Sequence, residues 1–257
     1  MSFVKATESA HEHREAGTSK VGPPFPNPTP APPPFPPQPS DSHFFSIDVE
    51  CVATGVSHNS RAIGQIALVD QFERLVFSAY VRPEHPVASY LTPLTGLTRE
   101  LLESQGVPLS QALQYLKLCL PKHAVLVGQN IQQDVSWLGL REGHDFTALR
   151  DLSGLYRIWN PKYNSMSVFG QDHLAKVLLG WPVDDRPHNA LEDACKSIRL
   201  FHLYNWLQES RDRWEKAQAM LLAVPPIPSF AKRFPTFEGC CMGNRKTCKC
   251  GAPFLGT

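Results

Sequence analysis

No run of apolar residues in this chain approaches the ~20 that a membrane-spanning helix needs, so the sequence points to no membrane partner. Net charge is also lacking. The 25 Lys and Arg and 24 Asp and Glu leave a formal charge of +1 across 257 residues. Such a chain has no global field to draw it onto a polyanion or an anionic membrane, so a phosphate-bearing partner must be gripped locally. The opening MSFVKATESAHEHREAG lacks the apolar core of a secretory signal, and Glu8, Glu12 and Glu15 are unlike a mitochondrial presequence. The expectation is a soluble intracellular protein, nuclear or cytoplasmic.

Proline, by contrast, is abundant and uneven. Pro23 to Ser40 reads PPFPNPTPAPPPFPPQPS, and proline removes the amide donor and fixes φ, so neither helix nor sheet forms there. Residues 1–42 are expected to be a disordered proline-rich tail sampling polyproline II, either a spacer or a ligand for an SH3- or WW-type partner.

Order is expected from Phe44. Strands are read at 44–49, 63–69 and 75–81, joined by short polar turns. A helix follows over 109–120, between Pro108 and Pro121. A short buried strand spans 124–127, a helix with Asn130 as its N-cap spans 131–138, and another strand covers 148–152. A helix over 171–179 stops at Gly180, and one long helix runs from Asn189 to Ala223. Strands first, then strands alternating with helices, predict an α/β domain over 43–224 built on a mixed sheet flanked by helices.

Acids stand in places where a fold seldom tolerates them. Asp48 and Glu50 lie two apart in FFSIDVECVATG and therefore share one face of a strand that is otherwise apolar. Asp134 follows Ile131 by three and so falls on the buried stripe that Ile131, Val135 and Leu138 mark. Asp193 flanks the stripe of the last helix, and His188 comes just before that helix begins. As a lone acid in a first turn, Asp193 would only complement the helix dipole; Glu192 and Asp185 read as solvated. Buried carboxylates at this density call for cations. Oxygen ligands from several elements suit Mg²⁺ or Mn²⁺, and a pair of such ions suits phosphodiester hydrolysis.

The ordered set Asp48-x-Glu50, Asp134 after VGQN, and His188-x₄-Asp193 resembles the DEDDh family of 3′–5′ exonucleases, which have a ribonuclease H-like fold. YVRP at Tyr80–Pro83 and LTGLT at Leu94–Thr98 resemble the REX-type RNA exonucleases and the interferon-stimulated exonuclease within it. The likeness covers about 44–204. It implies Asp48, Glu50, Asp134 and Asp193 as ligands of two Mg²⁺ or Mn²⁺ ions and His188 as general base. It also implies Cys51, Val52, Leu94, Thr95, Gly96 and Leu97 as contacts of a 3′-terminal nucleotide. Cys51 and Gln129–Asn130 depart from the residues common in the family, which bears on substrate preference.

Cysteines are few in the body of the chain, where Cys51, Cys119 and Cys195 read as small buried hydrophobes. Cys240, Cys241, Cys248 and Cys250 crowd a basic C-terminal segment, 225–257. They are candidate zinc ligands, although the usual spacing is Cys-x₂₋₄-Cys. The expected function is 3′–5′ hydrolysis of RNA to nucleoside 5′-monophosphates. The alternatives are a DNA exonuclease and a non-catalytic nucleic-acid-binding or scaffold protein acting through its tails.

Overall fold

The computed structural model describes residues 42–182 and 186–250. The proline-rich segment with its SH3 or WW reading, and Asp185, lie outside the described residues. Three strands open the domain: β1 (Phe44–Ala53), β2 (Arg61–Asp70) and β3 (Leu75–Arg82). Next come α1 (Thr92–Thr95), α2 (Arg99–Gln105), β4 (Val107–Pro108) and α3 (Leu109–Cys119). The middle of the chain forms β5 (Val125–Gly128), α4 (Ile131–Trp137), β6 (Ala148–Asp151), α5 (Leu152–Leu155) and a small ribbon of β7 (Ile158–Asn160) and β8 (Ser165–Ser167). Then α6 (Gln171–Leu174) continues into a π turn, Ala175–Leu179, followed by α7 (Ala190–Gln208) and α8 (Arg211–Ala223). A last segment carries α9 (Phe230–Arg233), β9 (Thr236–Phe237) and β10 (Cys240–Cys241).

The main sheet runs β4-β3-β2-β1-β5-β6. β1, β2 and β3 pair antiparallel, and β5 and β6 continue from β1 in parallel. The expected mixed sheet flanked by helices is therefore present. β1 lies between two neighbours and is covered on both faces, which is why it reads as apolar on both parities. Phe45, Ile47 and Val49 pack with Leu116 of α3 and with Ile131 and Val135 of α4. α7 lies across β1, β2 and β5 on the other side. Among the described residues no helix is long and apolar enough to cross a membrane.

Among the sequence readings of the elements that change, Asn130 precedes α4 in the left-handed region at φ +57° and its side chain makes no cap. β1 extends four residues beyond the predicted end, because Glu50 to Ala53 keep pairing with β2. The long final helix is two helices. Ser210 leaves the helical region at φ −142° and its hydroxyl caps Arg213, so α8 restarts there. Between β1 and β2 the register slips by one, with Glu50 opposite Gln65 and Cys51 opposite Ile63, which leaves Gly64 as the extra residue.

Candidate active site

The acids of β1 reach the site through strand parity. Asp48 and Glu50 point to the face that α7 covers, Glu50 buried and Asp48 partly so. Asp134 is buried in α4, where its carboxylate accepts from backbone amides, including that of Val49 next door on β1. Asp193 is buried in the first turn of α7. That turn is fixed from several sides. The Asn189 side chain caps Leu191, Gln65 Oε1 accepts from the Ala190 amide, and Gln171 Nε2 donates to Asp193 O and Ser197 Oγ at 2.8 Å each.

Burial first, and neighbouring carboxylates second, act on the protonation of these acids. Burial, then the charges of Asp134, Asp193 and Glu50, push Asp48 well above the usual carboxylate range. Burial and Asp193 raise Glu50 to about 8, and burial raises Asp134 strongly. Asp193 is the exception. Burial would raise it, but hydrogen bonds from His188 and Lys196 hold it below its ordinary value. His188 Nδ1 donates to Asp193 Oδ2 at 3.0 Å, and Lys196 Nζ donates to Asp193 Oδ1 at 2.7 Å. Lys196 also reaches Asp172 Oδ1 at 3.2 Å. Both cations are thus engaged by Asp193 and Asp172, while Asp48, Glu50 and Asp134 retain an excess of negative potential. A set of hard carboxylate oxygens in that condition fits divalent cations. Oxygens of Glu50 and Asp193 and a ring nitrogen of His188 lie within 4.8 Å of one another.

The site opens into a cleft of about 1320 Å³ that Glu50, Cys51, Leu94, Thr95, Gln129 and Trp137 help to line. Leu94 O accepts the His188 amide at 2.7 Å, so the segment over the cleft and the histidine loop are joined. Gly96 takes φ +69° and sits against Pro187 and His188. Of the expected nucleotide contacts, Cys51, Leu94 and Thr95 line the cleft. Val52, Gly96 and Leu97 do not; Val52 and Leu97 are buried with Tyr80 and Leu102 in a small core beneath the segment. The sequence reading also missed Lys196, Asp172 and Asp151. Lys196 follows Asp193 by three, a visible helical ion-pair spacing, but nothing local marks Asp172. Asp151 accepts from the Asn130 amide and from Ser153, and so braces the loop into α4.

In the C-terminal segment three of the four candidate zinc ligands, Cys241, Cys248 and Cys250, come together with His58. Cys240 does not join them. It is buried with Ala53 and Leu91, because β10 turns alternate residues to opposite sides.

The chain is 27% identical over 179 residues to RNA exonuclease 4 of Neurospora crassa, covering 68% of this chain and 42% of that protein. It is 25% identical over 174 residues to RNA exonuclease 4 of Dictyostelium discoideum, covering 68% and 54%. The chain thus spans about half the length of these curated relatives. The fold matches the Saccharomyces cerevisiae Pan2 pseudoubiquitin hydrolase–RNA exonuclease module in complex with AAUUAA RNA, with a TM-score of 0.58 at 19% identity over 73% of this chain and 34% of that one. The Exonuclease family, RNase_T, matches residues 45–201, a stretch that holds all four acids and His188, and the chain belongs to that family.

Proposed function

We propose that this protein is a metal-dependent 3′–5′ exonuclease that shortens RNA and releases nucleoside 5′-monophosphates. The observation that carries the reading is the convergence of Asp48, Glu50, Asp134 and Asp193 beside His188, with burial and neighbouring carboxylates raising Asp48, Glu50 and Asp134 in pKa. These four carboxylates would hold two Mg²⁺ or Mn²⁺ ions, which supply charge neutralisation at the scissile phosphate and at the leaving oxygen. His188 has its Nδ1 held by Asp193 and its Nε2 3.6 Å from Asp172 Oδ2; in its neutral form, with Nε2 turned from Asp172 to the attacking water, it would take the water's proton. As water bonds to phosphorus, the bond to the O3′ of the shortened chain breaks and the terminal nucleotide leaves as its 5′-monophosphate. Thr95 and Leu94 line the cleft beside Glu50, where a chain end can be covered, and the half-exposed Trp137 offers a face for base stacking. RNA as the substrate is supported by the names of the relatives.

End-labelled RNA and DNA of one sequence, incubated with Mg²⁺, Mn²⁺ or EDTA, test the proposal. The expected result is stepwise shortening from a free 3′ end, faster on RNA, abolished by EDTA. A circular RNA cut at the same rate would overturn the exonuclease reading, and faster DNA degradation would overturn the substrate.

A further inference from the structure

The loop between β1 and β2 does more than connect two strands. It carries His58, and the end of the chain folds back onto it. Cys241 N–H donates to Val56 O at 2.8 Å, and Arg61 donates to Cys241 O at 2.9 Å. Ser89 bonds the Glu238 carboxylate, and Asn244 O accepts from Thr247 and Cys248 in a tight turn. These contacts bring residues some 180 positions apart in sequence into one group.

The distances among His58, Cys241 and Cys248 are close to the edges of a coordination tetrahedron. A tetrahedral zinc with Zn–S near ~2.3 Å and Zn–N near ~2.05 Å implies edges of about 3.8 Å between sulfurs and about 3.6 Å between sulfur and nitrogen. Cys241 Sγ lies 3.6 Å from Cys248 Sγ, and His58 Nδ1 lies 3.3 Å from Cys248 Sγ and 3.9 Å from Cys241 Sγ. With Cys250 Sγ, all four ligand atoms are within 4.8 Å of one another. The sulfur separation is far beyond a disulfide bond of about 2.05 Å, and the cysteines are free. The Gly243 amide points at Cys241 Sγ at 3.4 Å, the kind of outer contact that orients a thiolate ligand. Three soft thiolates and an imidazole select zinc over the hard ions suited to the carboxylate site.

We propose that His58, Cys241, Cys248 and Cys250 form a structural zinc site that clamps the C-terminal segment along the wall of the catalytic cleft. His58, Arg61, Met242, Gly243 and Arg245 line the cleft together with Glu50. The clamp fixes part of the surface that a nucleic-acid backbone meets and leaves the chemistry to the acids. Its effect on RNA rests on the function proposed above, whereas its metal content does not.

The test is zinc content by mass spectrometry on the full chain purified under reducing conditions. The expected result is about one zinc per chain, retained in Cys195→Ser and in Asp134→Asn and lost in the Cys248→Ser/Cys250→Ser double variant. Wild-type protein refilled with Co²⁺ should show the visible absorption of a tetrahedral thiolate site, which needs no substitution. Zinc at the level of the double variant, or zinc lost with Asp134→Asn instead, overturns the site. For the clamp, the Cys248→Ser/Cys250→Ser protein should bind RNA more weakly. Its slope of log affinity against log salt should fall by about 0.7 for each phosphate that the protein no longer neutralises. Equal affinity and slope with zinc gone would overturn the clamp while leaving the exonuclease reading intact.

Discussion

Lys196 stands one helical turn after Asp193 and bonds its carboxylate at 2.7 Å, while His188 bonds the other oxygen of the same group at 3.0 Å. Asp193 thereby keeps its charge in a buried place where Asp48 and Glu50 tend to lose theirs. The pair also has a structural cost when broken. Lys196→Met leaves Asp193 with one partner, and removing one member of a buried pair costs about 3–5 kcal/mol. Urea unfolding should show that loss. Adding Asp193→Asn to Lys196→Met should recover most of it, since the second change removes the stranded charge. A single-variant loss of about 1 kcal/mol or less, as for exposed pairs, would contradict the assignment.

The raised acids make stability fall as pH rises when no divalent ion is present. The sign follows from linkage. A carboxyl whose folded pKa lies above its unfolded value stabilises the fold below the unfolded pKa and loses that contribution as pH climbs through the folded pKa. Glu50, at about 8 when folded, sets the window from the ordinary carboxylate range up to about 8, and Asp48 and Asp134 act in the same direction. In EDTA the melting temperature should therefore be lower at pH 8 than at pH 5.5, and Mg²⁺ should reverse the difference. Asp134→Asn should match or exceed wild-type stability in EDTA at pH 8 while losing activity. A variant that melts lower there, or that still degrades RNA at the wild-type rate, would remove Asp134 from the charged cluster.

How much of this was open to a reader of the sequence depends on the range of the signal. Asp48 and Glu50 were legible because strand parity is local, and Asp134 because helical periodicity put it among Ile131 and Val135. Val52 and Leu97 lie in the core beneath the cleft; the resemblance assigns a segment, whereas the slip at Gly64 and the packing of α1 on the sheet decide which of its side chains line the cleft. The cysteines show the same limit. Four thiols close in sequence looked like one set, but β10 sends Cys240 into the core and the fold supplies His58 from another part of the chain. The break at Ser210 had a local capping signal that the helix-forming residues on both sides concealed.

Asp193 also sets the titration of His188. The hydrogen bond to Asp193 raises the imidazole to about 9, against the opposing effect of burial. A pKa of about 9 favours the imidazolium in the metal-free protein at neutral pH, whereas a histidine base works in its neutral form. Divalent ions that share the Asp193 carboxylate weaken that hold and should lower the histidine's pKa. NMR titration of the His188 ring without and with saturating Mg²⁺ should show a downward shift. An upward or absent shift would mean that Asp193 is no ligand. His188→Ala should reduce turnover by about 10²–10⁴-fold and flatten the rise of rate with pH, with Mg²⁺ affinity kept.

Gly64 determines how closely the segment over the cleft can sit on the sheet. A Cβ at this position would lie 2.4 Å from Leu97 Cδ1, and Leu97 is fully buried, so the leucine has little room to yield. Leu97 anchors its neighbours: its amide donates to Thr95 Oγ1 at 3.1 Å, and Leu94 O holds the His188 amide at 2.7 Å. Gly64→Ala should cost about 1–3 kcal/mol through overpacking and raise KM for RNA as Leu94 and Thr95 shift. Turnover should fall as well, because the histidine loop is tied to Leu94. Combining Gly64→Ala with Leu97→Ala should cost less stability than the sum of the two single changes, since the added methyl fills part of the space the leucine leaves. Unfolding free energies and steady-state kinetics on the three variants provide the check. Additive losses, or a stability change without a change in KM, would show that the contact is packing alone and does not position the segment over the cleft.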